Sequence, residues 1–180
     1  MERNLTHIAL FTALIAILGL APPISLGFGV PVTAQTLGIM LAGAVLGAKR
    51  GFLSALLLLV LGAAGMPVLA GGTGGLGVFM GPTVGFLIGF PFAAFVTGLI
   101  VQKSTLRPGI AAAIGAIIGG ILVLYPFGIA GMALVLHKSL WEMTLFALVF
   151  VPGDLIKAVL TGLVVSALEK SRPASLLSRQ

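Results

Sequence analysis

The chain has 180 residues, 59% of them hydrophobic and 8% charged, with a mean hydropathy of +1.24. A soluble domain of this length has too high a surface-to-volume ratio to keep that much apolar side chain from water, so lipid is its main solvent and a soluble enzyme is excluded. The formal net charge of +6 lies in short clusters between apolar runs, a topology signal and not a nucleic-acid patch; the absence of cysteine excludes disulfide frameworks, iron–sulfur clusters and thiolate nucleophiles.

A helix needs roughly 20 residues, about 17 at minimum, to cross a hydrocarbon core. Six runs meet that length, approximately Leu5–Ala21, Val32–Ala48, Gly51–Leu69, Pro82–Val101, Gly109–Val135 and Pro152–Leu168. They predict an all-α integral membrane protein, with residues 1–180 as a single six-helix domain. The first span follows Arg3 and reads as a retained helix, since a polytopic remainder gives a cleaved signal nothing soluble to export. Ala9 and Ala13 form a small-xxx-small pair on it, with Ala16 on much the same face. Such a stripe serves either packing within the chain or docking of another membrane subunit.

The connection Pro22–Pro31 is uncharged and rich in Gly and Pro. Span two opens on the polar pair Gln35 and Thr36, which serves as interhelical hydrogen-bond partners or as ligand groups. After span three comes Gly71-Gly72-Thr73-Gly74-Gly75, which favours neither helix nor strand. It reads as a flexible connector or as a lid whose backbone approaches a ligand. Non-helical backbone at membrane depth is tolerated only under a protein or aqueous cover. Phe79, Tyr125 and Trp141 are candidate apolar walls or interface anchors. Between spans five and six, Ser139-Leu140-Trp141-Glu142 matches a capping box. The apolar run after it, to Phe150, is too short to span, and Pro152-Gly153 is expected to end it.

Span six carries Asp154 and Lys157, the two ionisable residues expected inside a span. Their i, i+3 spacing puts them on one face, where they neutralise each other or share a polar ligand. An acid after a Pro-Gly break also suits a helix N-terminus, and a lysine can snorkel. Together they suit a solute with both donors and acceptors, because a carboxylate only accepts and an ammonium only donates.

Eight basic residues fall on one side of the six spans: Arg3, Lys49, Arg50, Lys103, Arg107, Lys170, Arg172 and Arg179. Lys138 alone falls opposite, so both termini are expected in the cytoplasm and Asp154 near the outer face. No Walker A motif, HExxH or GxSxG occurs, and His7 and His137 are far apart. Neither ATP hydrolysis nor a metal site is encoded, so active transport would need another chain to supply energy.

Four blocks carry a resemblance: Val32-Thr33-Ala34-Gln35-Thr36-Leu37-Gly38, Gly71-Gly72-Thr73-Gly74-Gly75, Val78-Phe79-Met80-Gly81-Pro82-Thr83-Val84-Gly85-Phe86-Leu87-Ile88-Gly89-Phe90 and Pro152-Gly153-Asp154-Leu155-Ile156-Lys157. In order and spacing they resemble the BioY family, the biotin-specific substrate-binding (S) components of energy-coupling factor (ECF) transporters. The resemblance runs from about Ala9 to about Ala167, with Val84 where many relatives have glycine. It implies a multi-pass protein of the bacterial cytoplasmic membrane with six helices, cytoplasmic termini and an extracellular biotin pocket roofed by loops. It further implies no cofactor, and partners in a transmembrane coupling subunit and ATPase subunits, the former meeting Ala9 and Ala13. On this reading Asp154 accepts from the ureido N–H groups of biotin, and Lys157 donates to the ligand or offsets Asp154. Gln35, Gly72, Thr73, Gly74, Phe79, Thr83 and Tyr125 complete the pocket. The competing readings are an S component for another small vitamin, a structural subunit without ligand, a membrane enzyme using Asp154 and Lys157 as acid and base, and an ion pathway.

Overall fold

The computed structural model describes residues 2–22, 24–25 and 30–179. The chain runs through α1 (Glu2–Leu20), a two-residue antiparallel strand pair (Ile24–Ser25 with Pro31–Val32), α2 (Gln35–Leu46), α3 (Ala48–Ala63), α4 (Val84–Lys103), α5 (Pro108–Ile117), α6 (Leu124–Leu136), α7 (Leu140–Ala147) and α8 (Val151–Ser171). Most of the Pro22–Pro31 connection read from the sequence, namely Pro23 and residues 26–29, lies outside the described residues.

Three continuous helical stretches are long and apolar enough to cross a membrane, Val84–Lys103, Pro108–Leu136 and Leu140–Ser171; Asn4–Leu20 and Gln35–Leu46 are shorter apolar helices. Sidedness follows residue size more than polarity. Ala42, Ala55, Ala93, Ala112 and Ala158 are fully buried, whereas Leu10, Ile17, Leu134 and Ile156 are more than half exposed. That distribution suits an apolar solvent, in which close backbone packing and not hydrophobic burial holds helices together. α4 is the central helix, packed on α2, α3, α5 and α6. Its Gly85 lies so close to Phe127 and Gly131 of α6 that a Cβ would collide with the Phe127 carbonyl.

Several boundaries differ from expectation, each for a local reason. α2 and α3 are divided by Gly47 alone, at φ 85°, a backbone that side-chain-bearing residues rarely adopt. Lys49 and Arg50 therefore belong to the first turn of α3 and not to a loop. α3 stops at Ala63 instead of Leu69, because Gly65 takes φ 99° and closes a Schellman end, with Gly65 N–H donating to Gly62 and Met66 N–H to Leu61. The fifth span is interrupted: α5 passes into α6 through a π-helical turn, Ile118–Val123. Pro126 follows at once, lacking the N–H that an α-helix would direct to Leu122, and a widened turn accommodates that loss. Pro152 and Gly153 do not end the preceding helix but lie in the first turn of α8, where proline is well tolerated; a 3-10 turn, Leu148–Phe150, joins α7 to it. The capping box at Ser139 and Glu142 forms as expected.

After α8 the chain folds back. Leu176 and Ser178 are buried, Ser178 Oγ donates to the Ala44 carbonyl at 2.6 Å, and the Arg179 guanidinium donates to the Ser104 and Leu106 carbonyls.

Candidate functional site

A cavity of about 320 Å³ lies where the N-terminal ends of α2, α4 and α8 meet the segment after α3. Its walls are mostly apolar, with Phe86, Leu87, Phe90, Leu124 and Phe150 among them. The rings are locked edge-on: Phe86 lies 6.3 Å from Tyr125 and 6.2 Å from Phe150, which in turn lies 5.4 Å from Phe146.

The polar part of the wall is one connected network. Asp154, in the first turn of α8, is 4% exposed. Its Oδ1 accepts from Lys157 Nζ at 2.9 Å and from Thr36 Oγ1 at 3.1 Å, and its Oδ2 accepts from the Tyr125 hydroxyl at 2.8 Å. Lys157 Nζ also donates to the Thr33 carbonyl at 2.7 Å and to Thr36 Oγ1 at 2.8 Å. An ammonium has three N–H donors, and each has an acceptor here. The network therefore ties α8 to the start of α2 and the middle of the α5–α6 rod, and a buried charge pair satisfied in this way avoids the penalty of an unpaired ion.

Gln35, 1% exposed, lines the cavity while its Nε2 donates 2.8 Å to the Val68 carbonyl, fixing the segment after α3 against α2. That segment is folded. Leu69 N–H donates to Thr73, Thr73 Oγ1 to Ala70, and Gly75 N–H to Gly62. Gly71, Gly72 and Gly75 have positive φ, and a Cβ on Gly74 would collide with the Met66 carbonyl. Glycine is thus what lets this loop lie down on the end of α3.

Of the residues singled out from the sequence, Asp154, Lys157, Gln35, Thr73 and Thr83 line the cavity. Tyr125 stands behind it, acting through Asp154. Gly72 and Gly74 shape the loop beside it, Phe79 packs against the main core, and none of the three is in the wall. Trp141 is 70% exposed on α7 and lines no part of the cavity. The Thr33 carbonyl and the rings of Phe86, Phe90 and Phe150 were not anticipated. The former is a backbone carbonyl ahead of α2, which residue type and spacing do not mark; nothing in a uniformly apolar helix distinguishes the phenylalanines that face inward. Ala9 and Ala13 are exposed on α1, while Ile8, Thr12 and Ile15 on its other side are buried.

The model of the BioY family matches residues 2–174. The chain belongs to the BioY family. Similar curated members include a biotin transporter BioY from Rhodobacter capsulatus, 55% identical with 99% of this chain and 100% of that one covered. Another, from Rhizobium etli, is 48% identical over 95% of each chain. A solved structure described as the S-component for biotin from an ECF-type ABC transporter superposes with a TM-score of 0.87 at 37% identity, covering 94% of this chain and 92% of that one. A BioY chain with these helices is a multi-pass membrane protein.

Proposed function

We propose that this chain is the biotin-capturing S component of an ECF-type transporter. It binds biotin in the Asp154 cavity from the outside of the bacterial cytoplasmic membrane and delivers it inward chemically unchanged. The observation that carries the reading is the pairing of one connected acceptor–donor network, whose Asp154 Oδ2 accepts a single bond, with an aromatic and aliphatic wall in one cavity. Its volume lies at the lower end of the roughly 300–1,000 Å³ of small-molecule sites. Biotin presents two ureido N–H donors, a ureido carbonyl, a carboxylate and an apolar thiophane and chain. Asp154 accepts from the ureido nitrogens; Lys157 serves a ligand oxygen by exchanging one of its present acceptors, the Thr33 carbonyl being the one that belongs to a loop. Gln35, Thr73 and Thr83 contribute further polar contacts, with Tyr125 holding the Asp154 carboxylate and Gly72, Gly74 and Phe79 shaping the cover.

In this reading six membrane crossings are made by α1, α2, α3, α4, the α5–α6 rod and α8, with α7 lying over the outer face. Both termini are cytoplasmic, as the basic residues at the start of α3 and the ends of α4 and α8 favour. The cavity then opens outside. Ala9 and Ala13 on the exposed face of α1 dock the transmembrane coupling subunit, whose ATPases supply the energy. Radiolabelled biotin uptake tests the proposal, in biotin-auxotrophic cells lacking their own transporter and supplied with this chain and an energising module. Accumulation of unmodified label supports it; no accumulation by a correctly inserted chain with a functional module contradicts it.

A further inference from the structure

At the other end of the bundle a second cavity, of about 590 Å³, opens between the start of α1, the first turn of α3 and the C-terminal half of α4. Its lining divides by chemistry. Asn4, Lys49, Arg50 and Gln102 are polar or basic, whereas Ile8, Leu53, Phe95 and Leu99 are apolar, and no carboxylate lines it among the described residues. Lys49 is exposed and Arg50 half-buried. The hydrogen bond of the Arg50 guanidinium among the described residues is a long one, 3.5 Å from Nη1 to the Leu46 carbonyl, which leaves most of its donors for another acceptor. The apolar wall continues outward: Leu53 is 45% and Phe95 37% exposed, and Phe52 braces Phe92 and Phe95 edge-on at 5.8 and 6.4 Å.

We infer that this cavity holds one anionic phospholipid, with its phosphate on Lys49 and Arg50 and an acyl chain along Leu53, Phe95 and Leu99. Topology alone asks for basic residues at this end of the bundle, but it does not ask for a cavity beneath them. Lys103 and Arg107 supply the comparison, since they add the same charge at the same end and line neither cavity. A planar guanidinium beside an ammonium matches the several acceptor oxygens of a tetrahedral phosphate, and basic recesses between membrane helices favour anionic headgroups. The apolar wall selects a lipid over a free anion, which would use only the rim.

Native mass spectrometry and thermal unfolding of detergent-purified protein test this, with phosphatidylglycerol, phosphatidylcholine and inorganic phosphate as probes. The parent retains one phosphatidylglycerol per chain, about tenfold or more in preference to phosphatidylcholine. Lys49→Gln/Arg50→Gln loses that preference, while Lys103→Gln/Arg107→Gln keeps it. Should the first double variant fail to fold, Lys49→Gln alone, at an exposed position, lowers retention by about threefold. Equal retention of the two lipids by the parent, or undiminished retention in the folded Lys49 and Arg50 variants, overturns the inference. So does thermal stabilisation by inorganic phosphate equal to that by the lipid.

Discussion

Replacing Asp154 by Asn keeps the shape of the side chain and removes its charge. In the native network the carboxylate accepts from Lys157, Thr36 and Tyr125, at 2.9, 3.1 and 2.8 Å. Asn retains one acceptor oxygen and turns the other position into a donor, which must face either the Tyr125 hydroxyl or the Lys157 ammonium. Lys157 is then left with the Thr33 carbonyl and the Thr36 hydroxyl as neutral partners, its side chain 14% exposed. Breaking a buried ion pair by removing one partner costs about 3–5 kcal/mol, and the partial exposure of Lys157 argues for the lower end. For a ligand relying on the same carboxylate, losing one member of a hydrogen-bonded charge pair costs about 2–5 kcal/mol, a fall in affinity of about 30-fold or more. Thermal unfolding reads the first quantity and calorimetric titration with biotin the second. A further Lys157→Met change in the Asp154→Asn background removes the stranded charge, so it restores part of the lost melting temperature without restoring binding. Parental melting temperature and parental affinity in a folded Asp154→Asn protein would refute the assignment of this carboxylate as both counter-ion and ligand group.

Tyr125→Phe removes one donor to Asp154 and leaves the cavity wall intact. Because the bond is to a charged group, affinity for biotin should fall by about tenfold or more in titration, with the cavity volume unchanged. Gly74→Ala drives a methyl into the Met66 carbonyl and displaces the loop over the cavity. Strain of about 1–3 kcal/mol should appear as weaker or slower ligand capture, with little change in the melting temperature of the spans. Ala9→Trp with Ala13→Trp enlarges an exposed face, so biotin binding should persist while co-purification with the coupling subunit is lost; weakened biotin binding would place that face in the core instead.

The features legible in the sequence were those whose cost is high in lipid. Apolar runs of sufficient length marked the helices, and a lone acid and base within a span pointed to Asp154 and Lys157 before any geometry was known. The Ser139–Glu142 capping box was equally readable, since it depends on side chains at a fixed spacing. Other features turn on backbone. The bend at Gly47, one residue wide, hides inside a continuous apolar run, and the π turn before Pro126 leaves no mark on composition. The aromatic wall was hidden for a related reason. When every face of a helix is apolar, periodicity cannot tell Phe86 and Phe90, which face the cavity, from Phe92 and Phe95, which are substantially exposed. Gln35 was anticipated as a binding residue; its Nε2 donates to the Val68 carbonyl, a contact across 33 positions of sequence that spacing could not reveal.

Isothermal titration of detergent-purified, ligand-free protein with biotin, desthiobiotin and an unrelated vitamin tests the central claim most directly. Binding is expected to be one-to-one, selective for biotin, and abolished or strongly weakened by Asp154→Asn. The absence of binding by a folded, ligand-free protein, or equal binding of the unrelated vitamin, would contradict it.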